Sequence, residues 1–463
     1  MQPHELSVAE AARQIEQRTL SPVELVQSAL DRIEQVEDRL NAFVVVTAEQ
    51  ALEAARRAEE EIAGGGYRGP LHGIPVGIKD LYDAVGLPTT SSSAVRSDHH
   101  PTEDSACVAR LRDAGAVVVG KTHTHEFAYG VLTPTTRNPW DTGCVPGGSS
   151  GGSGAAVAAG ECLLGMGTDT GGSIRIPASV CGTVGLKPTF GRVSRAGITS
   201  LCWSMDHAGP LTRTVRDAAL ALQAVAGFDA RDPGSVQEPV PDYARDLDAG
   251  VRGLTLGVPT NYFFDDVDPE VEAAVREAIA VLEAQGARLR EVEIPYAGQM
   301  MAVEFGIVIP EASAYHQEML RESGERYTAD VRVLLEAGET VLATQYIKAL
   351  RVRTLVQQAF RHAFEGLDAL VCPTLPTAAA EVGQEAFTFP GGARKSVIDA
   401  WVGHSAPGNV TGLPALSVPC GFTSAGLPVG LQVIGRPFDE AGVLRIGQAY
   451  ESATDWTSRR PPL

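Results

Sequence analysis

Two serines and one lysine have the types and settings that could do chemistry here. Ser149 lies in GGSSGG and Ser173 closes DTGGS, so both hydroxyls sit in glycine-rich turns. Glycine allows backbone angles and close approaches that a Cβ forbids. Successive N–H groups in such a turn can converge on one oxygen, the layout of an oxyanion hole. A free serine hydroxyl is a poor nucleophile and needs a base. The chain has ten histidines, but the setting of neither serine is read as a nucleophile elbow that would pair with one. Lys79, at the end of the apolar run GIPVGIKD, is a second source of a base. Burial drives a lysine's pKa down, and the neutral amine is a competent general base near neutral pH. A buried ion pair with Asp80 or Asp169 is the alternative role for Lys79.

Three other readings compete at these motifs. A flexible Gly/Ser linker would explain the composition, but AAVAAG and LLGMGT between the two turns read as helix and strand. A phosphate cradle at these serines would need GxxxxGK[ST] or GxGxxG, and neither pattern falls on GGSSGG or DTGGS. His123, His125 and Glu126 in KTHTHEF form an HxH pattern that would place two imidazoles on one side of a strand as metal ligands. Arg175 and Asp169 are read as a structural pair supporting the turn, with Arg175 also a candidate for meeting an anionic substrate.

The elements that must hold these residues alternate between strand and helix. GIPVGIKD reads as a buried strand ending at Lys79 and Asp80. DSACVARLRDAG reads as a helix stopped at Gly115, with a strand at Ala116 to Val119 after it. Residues 7–62 look helical, with Ser21-Pro22 and Glu24 marking a start and Leu25, Ala29, Ile33 and Val36 sharing one face. Leu254 to Pro259 reads as a strand. Asp268-Pro269 then opens a helix with Val271, Val275, Ile279 and Leu282 on one face, which Gly286 stops before the strand RLREVEI. A long helical region is expected over 311–364, and buried strands over 369–374 and 414–422. Residues 229–250 and 376–396 read as loose. The expected fold class is α/β, a mostly buried mixed sheet flanked by helices, in one large domain without internal repeats.

The chain has 463 residues, 44% apolar, with 38 basic and 57 acidic residues and a net charge of −19. That balance argues against a nucleic-acid or anionic-membrane surface. Only five of the basic residues are lysine. The seven cysteines are scattered and form no CxxC pair, which reads as reduced thiols and a cytoplasmic location. No apolar run approaches the length of a membrane span, and the first residues lack a signal core.

The run GGSSGGSGAAVAAGECLLGMGTDTGGSIRIPASVCGTVGLK resembles the amidase signature family. GIPVGIKD resembles the strand bearing that family's catalytic lysine. GAVVVGKT, NPW, VGLKPTFGRVS, DHAGPLTRTVRDAA, GNVTGLPALSVPCGF and GLPVGLQVIGRPFDE are similar to its other landmarks, so the resemblance covers most of residues 5–230 and 365–455. It implies that Ser173 is the acyl-forming nucleophile, Ser149 a bridging serine entered through a cis peptide from Gly148, and Lys79 the base. The N–H groups of Thr170, Gly171, Gly172 and Ser173 would form the oxyanion hole, with Gly148, His123 and Arg175 as candidates for holding substrate. His123 stands where the family commonly has asparagine. Residues 295–364 are expected to diverge and shape the pocket. The implied activity is hydrolysis of a carboxamide C–N bond through an acyl-enzyme, extending to anilides, esters or carbamates. The alternatives are the glutamine-hydrolysing component of an aminoacyl-tRNA amidotransferase and a urea-type hydrolase of the allophanate or carboxybiuret kind. The resemblance implies a small-molecule amide substrate and no metal or organic cofactor. It implies no membrane partner and a homodimer as one assembly open to it. It also implies no nucleic acid, unless the chain is part of an amidotransferase.

Overall fold

The structure, a computed structural model, describes residues 2–463. Eleven strands form one sheet: β1 (Phe43–Val46), β2 (Pro75–Lys79), β3 (Val117–Thr122), β4 (Leu164–Asp169), β5 (Val184–Lys187), β6 (His207–Thr212), β7 (Thr255–Pro259), β8 (Arg288–Val292), β9 (Ala369–Pro373), β10 (Ala415–Phe422) and β11 (Pro428–Gly435). Their spatial order is β1-β3-β2-β4-β6-β5-β10-β11-β9-β7-β8. Parallel pairs (β3-β2-β4 and β9-β7-β8) lie toward the two sides, with antiparallel pairs between them. The sheet is therefore mixed, and helices flank it.

Local signals start the helices where the sequence places them. Ser21 caps Pro22–Leu40 by accepting from the N–H groups of Val23 and Glu24. Asp268 caps Pro269–Ala284 through Glu270 N–H, and Ser105 caps Ala106–Asp113 through Val108 N–H. Strands β2, β4, β5 and β6 are buried along their whole length, so they show no alternation of apolar and exposed polar residues, and their polar side chains stand at the strand ends.

Several expectations needed correction. The 7–62 region is not all helix, because FVVV at β1 pairs antiparallel with β3 as an edge strand. The long helical region starts earlier, at Met300, and is three helices: Met300–Ser323, Ala329–Gly338 and Ala343–Ala363. β3 runs on to Thr122, past the expected end at Val119. The loose 376–396 stretch contains a small hairpin, Ala386–Thr388 with Arg394–Ser396. Strands β5, β6 and β11 carry glycine and proline that mask them in sequence; tertiary pairing on both sides overrides those weak propensities.

Candidate active site

The site forms where β2 and β4 end together. These strands are parallel neighbours, with Ile78 opposite Met166, so Lys79 and the Thr168–Ser173 segment emerge side by side. The Gly147–Ser150 turn leads into the helix Gly151–Ala159, for which Ser150 is the N-terminal flanking residue. The peptide between Gly148 and Ser149 is cis. Gly148 packs so tightly that a Cβ there would come within 2.6 Å of the Val131 carbonyl carbon.

Lys79 is fully buried and touches no carboxylate. Its Nζ lies 2.8 Å from each of three hydroxyls, Ser149 Oγ, Ser150 Oγ and Thr168 Oγ1. Both carboxylates expected as ion-pair partners are engaged elsewhere. Asp80 pairs with Lys121 at 3.1 Å, and Asp169 with Arg175 at 2.9 Å. Burial pushes the Lys79 amine well below its ordinary 10.5, and the charges of Asp169 and Asp206 only partly offset this. A neutral amine has two N–H donors and one lone pair. Ser150 Oγ donates to the Thr168 carbonyl at 3.1 Å, so it must accept from Lys79. The lone pair is thereby left to a hydroxyl such as that of Ser149.

Ser173 joins this cluster through its backbone, its carbonyl accepting from Ser150 N–H at 3.1 Å. The bonds of Lys79 end at Ser149, Ser150 and Thr168 and do not reach Ser173. The Ser173 side chain lines a cavity of about 240 Å³ together with Thr170, Gly171, Tyr129, Val131, Phe305 and Val402. A second cavity of about 510 Å³, lined by Thr168, Asp206 and Tyr315 among others, shares Ala128 and Leu201 with the first.

The DTGGS turn is braced from beneath. Burial alone would raise the Asp169 carboxyl, but the Arg175 guanidinium, the Lys187 charge and Asn409 hold it well below the usual carboxylate range. Asp169 accepts from Gly172 N–H at 2.9 Å and Ile174 N–H at 3.1 Å, pinning the turn. The expected four-donor set is thus reduced, because the Gly172 N–H is already engaged. Those of Thr170, Gly171 and Ser173 find no acceptor among the described residues. Ser405 Oγ donates to the Gly171 carbonyl at 2.6 Å from the buried helix Val397–Thr411. Gly172 has φ +124°, and a Cβ there would collide with Ser405 Oγ, so glycine is required.

Arg175 lines neither cavity. It is wholly buried and donates to Asp169, to the Ser405 carbonyl, to Gln432 Oε1 and to Asn409 Oδ1 at 2.6–3.0 Å. Its donors are consumed in tying the turn to the Val397–Thr411 helix and to β11. Neither Gly148 nor His123 lines the Ser173 cavity. His123 Nδ1 lies 3.2 Å from Ser92 Oγ. The HxH pattern falls beyond the end of β3, and its members turn apart. His125 Nε2 meets Asp330 at 3.0 Å, while Glu126 accepts from Ser93 and Thr328. No group of three or more metal-ligating side chains forms among the described residues.

Residues the sequence reading passed over are Ser150, Thr168, Asp206, Ser405, Asn409 and Glu304. Ser150 and Thr168 stand inside the two glycine-rich motifs, so their place beside the candidate residues was the available signal. Asp206 accepts from Thr170 Oγ1 at 2.7 Å and Ser200 Oγ at 2.7 Å. Glu304 is the single charge in the apolar stretch MMAVEFGIVI.

Comparison with known proteins places the chain in a family. The family model described as Amidase matches residues 24–444. An amidase of Pseudomonas putida is 54% identical over 459 residues, covering 99% of this chain and 98% of that protein. The A component of the glutamyl-tRNA(Gln) amidotransferase from a Roseiflexus species is 43% identical over 491 aligned residues, covering 99% of each. A solved structure described as a vestigial protein complex revealing the evolutionary origins of an s-triazine catabolic enzyme superposes with a TM-score of 0.93 at 34% identity, over 96% of this chain and 98% of that one. With the family model spanning most of its length and relatives matched end to end, this chain belongs to the amidase family, the amidase signature enzymes.

Proposed function

We propose that this protein hydrolyses a carboxamide C–N bond through an acyl-enzyme on Ser173, with Ser149 as relay and Lys79 as base. One observation carries the reading. Lys79 is a buried amine whose three neighbours are hydroxyls, and no carboxylate neutralises it. In this setting the ammonium form is disfavoured, and the free amine can hold a proton taken from serine.

In the proposed sequence, Lys79 Nζ takes the Ser149 proton as Ser149 takes that of Ser173. Ser173 Oγ bonds to the carbonyl carbon, and the carbonyl electron pair moves onto oxygen. The free N–H groups of Thr170, Gly171 and Ser173 are the donors available to that oxyanion. The C–N bond then breaks, and the leaving nitrogen receives the relayed proton. Water attacks the ester in the second half, giving its proton back along the same path, and the carboxylic acid leaves. The two adjoining cavities offer separate room for the acyl part and for the leaving amine or water.

The kinship with amidotransferase components raises glutamine as a substrate. The Ser173 cavity lacks what glutamine's α-carboxylate requires, since no lysine or arginine lines it and its one charged residue is the acid Glu304, while the arginines of the adjoining cavity, Arg195 and Arg231, are paired with Asp232 and Asp229. The same lining disfavours a carboxylated urea. A compact amide with an apolar body fits the walls better.

The test is hydrolysis of a panel of primary amides by the wild type and by Ser173→Ala, alongside labelling by a fluorophosphonate. The expected results are loss of turnover by at least about ten-thousandfold in the variant and loss of labelling. Retained turnover in Ser173→Ala would overturn the assignment.

A further inference from the structure

Glu304 is a buried acid that the hydrolytic mechanism does not use. It sits on the Met300–Ser323 helix, 2% exposed, and lines the same cavity as Ser173, Thr170 and Gly171. Its Oε2 has no hydrogen-bond partner. Its Oε1 leans on Gly171, where an added Cβ would come within 2.6 Å of it. Much of the rest of the wall is apolar, with Val131, Leu201, Phe305, Val308, Leu334 and Val402, and Tyr129 adds a second buried polar atom, its hydroxyl, without a partner. No cation pairs with Glu304. The described bonds of Arg353 go to the Val410 and Ser204 carbonyls, and those of Arg175 to Asp169, Ser405, Gln432 and Asn409.

An unpaired carboxyl in an apolar cavity costs stability unless something offsets it. Packing cannot be the offset, because a leucine or methionine would fill the wall without that cost. A ligand that brings a donor can supply it. We infer that Glu304 is a specificity residue that accepts a hydrogen bond from an N–H donor carried close to the substrate's scissile carbonyl. The inference rests on the proposed amide hydrolysis and narrows its substrate class to small, mostly apolar amides bearing an amino group or another N–H beside the carbonyl.

The position supports this. The free amides of Thr170 and Gly171, which would hold the carbonyl oxygen, belong to the same wall as Glu304. In a primary amide the scissile NH2 is common to every substrate, so the donor that lets Glu304 discriminate among them must ride on the acyl part. Burial pushes the Glu304 carboxyl well above its ordinary value, with Arg353 the main opposing charge. Burial thus favours the neutral acid over the carboxylate. An ammonium donor would pair with the ionised form and send the carboxyl proton to solvent. A neutral N–H donor would be met by the carbonyl oxygen of the acid form. Both sources share one chemistry, a nitrogen-borne hydrogen.

The experiment compares wild type, Glu304→Gln and Glu304→Met on primary amides of about four to nine carbons, a span chosen for side chains that an apolar pocket of this size buries. Each amide is supplied in three forms: unsubstituted, α-amino and α-formamido. Wild type is expected to prefer one donor-bearing form by roughly tenfold to a hundredfold in kcat/KM, the worth of a hydrogen bond to a charged or buried partner. Glu304→Met is expected to erase that preference and to raise Tm, since the orphaned carboxyl is gone. Glu304→Gln keeps a carbonyl acceptor. It retains the preference if the donor is the neutral formamido N–H and loses it if the donor is the ammonium. Equal losses on all three forms in Glu304→Met, together with a lower Tm, would make Glu304 structural and overturn the inference. So would a wild type that turns over all three forms alike. Those results leave amide hydrolysis itself standing, whereas a wild type without turnover on any amide and without fluorophosphonate labelling overturns both readings.

Discussion

Replacing Lys79 with methionine probes the uncharged amine directly. In the folded protein burial holds the Lys79 amine well below 10.5, the value it regains on unfolding. Between those two points the unfolded chain binds one more proton than the folded one, so wild-type stability rises with pH. The slope for one proton is about 1.4 kcal/mol per pH unit. Below the folded pKa both states are protonated, and above 10.5 both are neutral, so the slope vanishes at either end. Methionine does not titrate. Its stability relative to wild type should therefore fall by about 2 kcal/mol from roughly pH 8 to roughly pH 9.5. Losing the three Nζ contacts with Ser149, Ser150 and Thr168 shifts the difference by a constant and leaves the slope intact. The assay is urea unfolding of both proteins at matched pH, where contributions of distant titrating groups cancel in the difference. A difference independent of pH, or one that moves the other way, would mean that Lys79 is protonated in the fold and would refute the base assignment.

On the proposed mechanism the same amine sets the pH dependence of turnover. Activity should fall as pH drops through the lowered pKa of Lys79 and level off above it, and Lys79→Arg should be inactive across the range; kcat/KM profiles check both. Arg175→Met should cost about 3–5 kcal/mol by leaving Asp169 buried without its partner. Chemical denaturation reads that loss, and Arg175→Lys should not restore it, because a lysine cannot reach Asp169, Gln432, Asn409 and the Ser405 carbonyl at once.

The local residue order was enough to place Lys79 at the end of a buried strand, because a run such as GIPVGI has few other stable fates. It was enough to start helices at Ser21 and Asp268, where cap and proline coincide. The long GGSSGG…DTGGS run carried the family and two of the three candidate side chains, with Lys79 coming from GIPVGIKD, since that many fixed positions seldom coincide by chance. What it did not carry was anything that depends on distant segments meeting. Ser405, Asn409 and Gln432 reach Asp169 and Arg175 across more than 200 positions of chain, as in the Arg175–Ser405 bond with a separation of 230. That embrace made Arg175 a structural strut rather than a substrate ligand. Likewise, HxH spacing is a statement about a strand, and the strand ends at Thr122, so His125 was free to turn toward Asp330. Glu304 read as one acid on a helix; only the packing of that helix against the DTGGS turn placed its carboxyl beside Gly171, in the cavity that Ser173 lines. Periodicity and spacing are properties of neighbours along the chain, while burial, pairing and pKa belong to neighbours in space.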